Sequence, residues 1–336
     1  MNADPKLAHV ALELTCDTRG LMACRFDPTG KYLYATAENR SIYRWDLAAA
    51  AKDPKLKPAA FSGHESWMFD LAVTADGQTL ITAGGDDHLI WWPATAEAPA
   101  PIRKVKAHEG WIRSIALSPD GKLLASGGND RIVRLWNVAD GAKVAELKAA
   151  ERDVYSVAFH PGGEWLLAGD LDGKIHQWSI ADGKLVRSID AGPLHEFEKG
   201  QQVHYGGVRA LDVSPDGKWI IGGGLYKGTN PLGNVQQPLA LRIEWESAKI
   251  ARQHVTAAYK NERIWGLRFL TQGLAVAAIG GAKGALLFWN EGADEAFHTF
   301  ALPGTARGMS LHNDGAQIAT THFDSKVRIT RLGAKG

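Results

Sequence analysis

The sequence predicts an all-β protein, a seven-bladed β-propeller of four-stranded antiparallel blades, and the main evidence is a repeated tryptophan. Six tryptophans each end a short apolar stretch of this 336-residue chain: Trp45, Trp92, Trp136, Trp178, Trp245 and Trp289. Successive members lie 47, 44, 42, 67 and 44 residues apart. A period of about 40–50 residues indicates one supersecondary unit copied many times. A seventh apolar stretch, 327–330, follows 41 residues later and ends in Thr330 instead of Trp.

The third copy shows the elements of one unit most fully. Residues 112–117 alternate in polarity and end at Ser-Pro-Asp-Gly, 118–121, a turn in which Gly supplies the positive φ. Residues 122–126 form a second predicted strand, and residues 131–136, with β-branched side chains, form a third. Residues 143–148 follow an Asp-Gly turn as a fourth strand. Four antiparallel strands in each repeat are typical of a propeller blade.

Alignment on this copy divides the chain, predicted to be a single domain over 1–336, into seven blades. Their limits are about 18–60, 61–105, 106–148, 149–203, 204–259, 260–301 and 302–332, the last completed by 7–14. The seventh repeat supplies only three strands, and residues 7–14 have the same pattern as the fourth strand of the third repeat. We therefore expect the N-terminal segment to pair with the last blade and close the ring, because an open sheet edge invites aggregation. Deletion of residues 1–14 is expected to destabilise the protein.

The repeated phrase resembles that of the WD40 family, and the resemblance covers nearly the whole chain. The family phrase runs GH, SPDG, SGGxD and then Trp followed by Asp or Asn. In that family a His, a Ser or Thr, an Asp and the Trp form a hydrogen-bonded set inside a blade. The resemblance implies two such sets: His64, Thr82, Asp86 and Trp92 in blade two, and His108, Ser126, Asp130 and Trp136 in blade three.

Other repeats depart from the family phrase. His204 aligns with the family His in blade five, although its repeat has Leu239 at the Asp position. Blade four keeps Asp172 but has Ala150 in place of His, and blade six has Lys283 in place of Asp. We expect these blades to depend more on apolar packing, and blades two and three to be the most rigid.

The composition argues against several classes of partner. Lys and Arg number 38 and Asp and Glu number 37, for a formal net charge of +1, so no broad field favours nucleic acid or an acidic membrane. No apolar run reaches transmembrane length and the N-terminus is not a signal peptide, so we expect a cytoplasmic monomer. The two cysteines form neither a disulfide framework nor a CxxC site.

The search for catalytic motifs is negative. The chain lacks GxSxG, HExxH and paired CxxC motifs, and the histidines outside the repeat positions lack ligand spacing, so we predict no enzyme, metal or cofactor. The leading hypothesis is a non-catalytic scaffold for protein–protein interactions. The alternative is a propeller hydrolase or lactonase with a metal in the channel. A module of a larger regulatory or enzymatic system is equally compatible with the scaffold hypothesis.

The interval of 67 residues contains two insertions. They are Asp190–Gly207, between blades four and five, and Leu225–Pro238, between the second and third strands of blade five. The first carries Leu194, His195, Glu196 and Phe197, and the second carries Tyr226, Lys227, Asn230 and Asn234. These loop positions open on the same face of a propeller. Loops of this length are functional, disordered or merely tolerated, so both a functional role and a tolerated excursion stay open.

A second candidate site follows from the start of each blade's first strand. Aligned positions there are expected to surround the mouth of the channel, and we call them the rim positions. They are Met22, Trp67, Phe69, Trp111, Arg113, Tyr155, Arg209, Arg263, Trp265 and Arg307. Aromatic and Arg side chains dominate interface hot spots, and Arg binds carboxylates and phosphates. We therefore expect a protein or peptide partner, with an acidic or phosphorylated segment favoured because no acidic ring matches Arg113, Arg209 and Arg307. Alternatively, the aromatics simply pack against neighbouring loops.

Overall fold

The computed structural model describes residues 3–18, 20–230, 235–270 and 273–334, with the side chains of Asn230 and Val235 left out. The predicted insertion residue Asn234 and the turn residues Thr271 and Gln272 lie outside these ranges. Within them the chain forms seven four-stranded antiparallel sheets, and the predicted fold class, a seven-bladed β-propeller, is confirmed. The chain divides into two compact units, residues up to 113 with those from 306 on, and residues 114–305. The single domain over 1–336 stays a prediction.

The first unit contains three complete sheets, β2–β5, β6–β9 and β1 with β28–β30. Their strands are β1 (Ala8–Thr15), β2 (Leu21–Phe26), β3 (Tyr32–Ala37), β4 (Ser41–Asp46), β5 (Ala59–Ser62), β6 (Met68–Val73), β7 (Thr79–Gly84), β8 (His88–Pro93), β9 (Arg103–Lys106), β28 (Ala306–Leu311), β29 (Gln317–His322) and β30 (Lys326–Leu332). A short helix, α1 (Leu47–Lys52), follows β4. Its N-cap is Asp46, which accepts a hydrogen bond from the Ala49 N–H at 3.0 Å.

Strand β1 pairs with β30, as the sequence predicts for ring closure. The register runs antiparallel from Ala8 opposite Leu332 to Thr15 opposite Lys326. Glu13 accepts hydrogen bonds from Lys326 Nζ at 2.5 Å and from Arg328 Nε at 2.8 Å. The N-terminal strand thus supplies backbone pairing and a carboxylate to the last blade.

The second unit holds the sheets of blades four, five and six and most of blade three, whose first strand begins in the first unit. The strands of blades three and four are β10 (Ile112–Leu117), β11 (Leu123–Gly128), β12 (Ile132–Asn137), β13 (Lys143–Lys148), β14 (Val154–Phe159), β15 (Trp165–Asp170), β16 (Lys174–Ser179) and β17 (Leu185–Asp190). The remaining strands are β18 (His195–Glu198), β19 (Val203–Gly206), β20 (Ala210–Val213), β21 (Trp219–Asn230), β22 (Val235–Glu244), β23 (Ile250–His254), β24 (Glu262–Phe269), β25 (Ala275–Gly281), β26 (Gly284–Trp289) and β27 (His298–Leu302).

The first turn of each of two blades in the second unit is held in the same way. Ser118 donates to Asp120 at 2.6 Å and accepts from the Leu123 N–H at 2.9 Å. In blade five Ser214 donates to Asp216 at 2.6 Å and accepts from the Trp219 N–H at 2.9 Å. Local side-chain bonds of this kind explain why the Ser-Pro-Asp-Gly phrase recurs at strand ends.

The repeated tryptophans are all buried, with exposed fractions between 0% and 9%. Apolar clusters formed by the surrounding strands contain Trp45, Trp92, Trp178, Trp245 and Trp289. Trp45 lies in a cluster with Leu33 and Leu14, and Trp289 lies in one with Leu267 and Ile279. The repeat period is therefore the period of the core.

The described parts of the two insertions of blade five form strands and contact each other. The first contains a 3₁₀ turn and the two-stranded sheet β18–β19, and the second extends β21 and β22 beyond the blade. Tyr205 on β19 donates its hydroxyl proton to the Gly228 carbonyl on β21 at 2.5 Å. Leu194, at 0% exposure, anchors the first insertion in the apolar cluster of blades four and five.

Candidate functional site

Blade two carries a continuous hydrogen-bond chain from its tryptophan to its surface turn. Trp92 Nε1 donates to Thr82 Oγ1 at 2.9 Å, and that hydroxyl lies 2.8 Å from His64 Nε2. His64 Nδ1 lies 2.8 Å from Asp86 Oδ1. Asp86 Oδ2 accepts from the Glu65 N–H at 2.8 Å. With its proton on Nδ1, His64 donates to Asp86 and accepts from Thr82. Every polar group of this hydrogen-bond chain therefore has a partner.

Asp86 has a strongly shifted pKa. Burial raises it, but hydrogen bonds from His64 and from the Glu65 backbone outweigh burial and bring the pKa to about 2. Asp86 is therefore a carboxylate at neutral pH, and it fixes the orientation of His64. These groups stabilise the blade and are too enclosed to contact a partner.

Blade three has an arginine beside its buried polar residues. Trp136 Nε1 donates to Ser126 Oγ at 2.8 Å, and His108 is buried at 2% exposure. Asp130 accepts from Arg134 Nη1 at 2.6 Å, a contact for which blade two has no counterpart, since Ile90 occupies the position of Arg134. An arginine on the central strand thus adds an ion pair to this blade.

Several of the rim positions coincide with irregularities in strand pairing. The ladder register shifts across Met22, Phe69, Tyr155, Trp265 and Arg307, as at a β-bulge. In blade five the Arg209 N–H donates to the Gly223 carbonyl at 2.9 Å although Ala210 is the residue opposite Gly223. A bulge leaves one residue out of the ladder and redirects its side chain. The alignment predicts these positions, whereas the bulges themselves leave no signal in the sequence.

In the first unit the rim positions of blades two and three form an aromatic–arginine cluster. The rings of Phe69 and Trp111 stack with centroids 5.2 Å apart. The Arg113 guanidinium lies over both rings, 5.2 Å from the Phe69 centroid and 4.6 Å from that of Trp111. Trp67 and Trp111 are 45% and 41% exposed, unusually high for tryptophan. This is a partly exposed surface of the composition found at binding hot spots.

Arg307, also in the first unit, forms an ion pair. Its Nη1 lies 2.5 Å from Glu38 Oε1 in an ion pair whose side chains are 21% and 27% exposed. Glu38, which is not one of the rim positions, thus accompanies Arg307. The charge of Arg307 is already compensated within the unit.

In the second unit the rim arginines lie on aromatic rings and near each other. Arg209 lies 4.6 Å from the Tyr155 ring centroid, and Arg263 lies 5.3 Å from that of Trp265. Burial and the charge of Arg209 lower the pKa of Arg263, against the opposing charge of Glu262. Arg209 Nε is buried and makes no hydrogen bond within the described residues.

His204 aligns with the family His but does not join an internal set of blade five. It lies on β19, and its Nδ1 is 2.9 Å from His195 Nε2 and 3.5 Å from Asp172 Oδ1 of blade four. Burial lowers the pKa of His195, against the charge of Asp172. Asp170, two residues before Asp172, makes the contact inside blade four, 3.0 Å from His176 Nε2. Asp172, His195 and His204 are grouped as metal ligands could be, although the sequence spacing of the histidines does not show this grouping.

Comparison with known families agrees with the repeat geometry. The model of the WD domain, G-beta repeat, matches residues 10–46, 57–92, 99–137, 141–179 and 193–227, together more than half of the chain. The chain belongs to the WD40 family. A search of the curated proteins finds no match. No helix in the described part of the chain has the length and hydropathy to cross a bilayer.

The WD40 matches also show where this chain departs from its family. They end at residue 227, so blades six and seven and the second half of blade five lie beyond them. Blades five, six and seven each have four strands, although they lack the full set of polar residues typical of the family. WD40 propellers commonly serve as protein-interaction scaffolds, and a shared fold alone does not select one partner.

Proposed function

We propose that this WD40 protein is a non-catalytic scaffold whose rim positions bind an acidic or phosphorylated protein segment. The observation that carries the proposal is the pair Arg209 and Arg263. Their guanidinium groups lie on aromatic rings, the charge of one lowers the pKa of the other, and Arg209 Nε lacks a hydrogen-bond partner among the described residues. A phosphate or carboxylate accepts several charge-assisted hydrogen bonds from such groups.

The cluster of Phe69, Trp111 and Arg113 supports the same proposal. Aromatic rings hold the Arg113 guanidinium in place, which lowers the entropy cost of binding. The exposed faces of Trp67 and Trp111 offer apolar area for side chains that flank an anionic residue.

The test is a peptide array carrying phosphorylated, acidic and neutral versions of the same segments, probed with the full-length protein. We expect the phosphorylated or acidic versions to bind better, and the combined Arg113→Glu, Arg209→Glu and Arg307→Glu variant to lose that binding with little change in melting temperature. Equal binding of neutral segments, or unchanged binding by the variant, would refute the proposal.

A further inference from the structure

The first insertion of blade five brings two histidines onto one face of its hairpin. His195 on β18 is opposite Gly206, and His204 on β19 is opposite Phe197. His195 and His204 are therefore diagonal neighbours, two positions apart across the ladder and on the same side. Asp172, in the turn between β15 and β16, faces the same point.

The distances among the three ligand atoms suit one small cation. His195 Nε2 and His204 Nδ1 are 2.9 Å apart, and Asp172 Oδ1 is 3.5 Å from His204 Nδ1 and 3.8 Å from His195 Nε2. A tetrahedral zinc ion with bonds of about 2.0–2.1 Å separates its ligand atoms by about 3.3–3.4 Å. The three observed separations lie on both sides of that value, so shifts of a few tenths of an ångström would complete the geometry.

A second observation points to a cation. Asp172 Oδ1 is buried and accepts no hydrogen bond from any described residue. Its nearest charge is Arg152, whose Nε lies 3.6 Å away with a side chain that is 48% exposed. A buried carboxylate oxygen without a hydrogen bond is costly, and it faces two imidazole nitrogens that share a single hydrogen bond.

Contacts with neighbouring residues hold the two histidine side chains in position before any cation binds. The Phe197 ring packs against His204 with centroids 4.5 Å apart. Gly173 has φ +72°, and a Cβ there would come within 3.2 Å of the His195 Cβ and 3.0 Å of the Ala191 carbonyl, so the turn can approach the hairpin only with glycine. Such supporting contacts position ligands before a metal binds.

We propose that Asp172, His195 and His204 bind one divalent transition-metal ion, preferentially zinc. Two imidazoles and a carboxylate are a ligand set that zinc favours, and three protein ligands leave one position for water. The three side chains are 22–27% exposed, so that position opens toward solvent. This site involves none of the rim positions and does not depend on the function proposed above.

The role of Arg152 differs between a metal site and a hydrogen-bond network that only supports the structure. Its Nη2 donates to His204 Nε2 at 3.2 Å, which places the imidazole proton on Nδ1. Metal binding through Nδ1 moves that proton to Nε2 and displaces Arg152 into solvent. Arg152 therefore competes with the metal, whereas in a purely structural network it would only support the histidines.

The test is titration of tag-free, chelator-treated full-length protein with ZnCl₂ by calorimetry. We expect one zinc per chain, and at least tenfold weaker binding in each of the variants His195→Ala, His204→Ala and Asp172→Asn. The matched control His298→Ala changes a partly exposed histidine of blade six and should bind as the wild type does. Arg152→Gln should bind zinc at least as tightly as the wild type.

Cobalt supplies an independent spectroscopic readout. Co²⁺ in a four-coordinate site gives an intense visible band, so the wild type should develop that band at one equivalent and the His195→Ala/His204→Ala double variant should not. Circular dichroism checks that each variant is folded. Absence of stoichiometric zinc binding, wild-type affinity in the double variant, or weaker binding by Arg152→Gln would each overturn the proposal.

Discussion

Thr82 is the residue on which the hydrogen-bond chain of blade two depends, because it joins Trp92 to His64. Thr82→Val preserves shape but leaves the indole N–H and an imidazole nitrogen without partners. We expect a loss of roughly 1–3 kcal/mol in the free energy of unfolding, measured by urea denaturation.

Thr330 provides the matched control for that substitution. It is also fully buried, but its hydroxyl has no hydrogen-bond partner among the described residues. Thr330→Val should therefore leave stability unchanged or raise it. Equal destabilisation by the two substitutions would show that shape, and not the hydrogen bonds, determines the effect.

Asp86 makes the stabilisation by this hydrogen-bond chain depend on pH. Its pKa falls from 3.8 to about 2 on folding, so its contribution is fully present above about pH 4 and is lost as pH falls toward 2. The shift corresponds to roughly 2 kcal/mol. We expect the stability difference between wild type and Asp86→Asn to shrink as urea unfolding is repeated from pH 5 to pH 3. A difference that stays constant over this range would contradict the assigned pKa.

At the scale of single residues, the sequence predicts what repeats and misses what occurs once. The set of His64, Thr82, Asp86 and Trp92 was predictable because blade two matches the phrase of the WD40 family, whose blades hold such a set. The grouping of His195 with His204 depends on a hairpin register that appears in no other blade. Their separation of nine residues around a tight turn was the available signal, whereas the approach of Asp172 from another blade left none.

Among the elements, β1 gives the clearest test because its sequence neighbours and its structural neighbours differ. Leu14 is 1% exposed in the core shared with β29 and β30, and Leu7 is 48% exposed just before the strand. We expect Leu14→Ala to cost about 2–5 kcal/mol in unfolding free energy. Leu7→Ala should change it by less than about 0.5 kcal/mol.

Deletion of residues 1–14 extends this test to the whole element. It removes most of the pairing with β30 and the Glu13 carboxylate that binds Arg328, a side chain only 3% exposed. The truncated protein should melt well below the full-length chain in a thermal scan. A truncation that melts with the full-length protein would show that the last blade needs only three strands.

The strand pattern of each blade was also predictable, because alternation and turn residues are local signals. The bulges at the rim positions were not, because a bulge depends on how two strands pair, and no residue type is common to Met22, Tyr155 and Arg307. The contact between the two insertions of blade five was expected from topology alone.

For the molecule as a whole, the net charge is close to zero, so variants with the same change in net charge can distinguish local recognition by the rim positions from long-range electrostatic attraction. Each exchange of Arg or Lys for Glu lowers the charge by two, so three exchanges take the formal net charge from +1 to −5. The combined change of Arg113, Arg209 and Arg307 has a charge-matched control in Lys122, Lys184 and Lys218, whose side chains are 77–82% exposed in turns. General electrostatic attraction would be weakened equally by both variants.

Recognition by the rim predicts that the two variants differ. The lysine variant should retain most of its binding to phosphorylated or acidic segments in 150 mM salt, where charges separated by more than about 8 Å are screened. The arginine variant should lose it, and among single changes Arg209→Glu should weaken binding more than Arg307→Glu, whose charge Glu38 already pairs. Fluorescence anisotropy with one phosphopeptide from the array measures all four variants. Equal losses in the two triple variants would assign binding to net charge and remove the rim positions from the site.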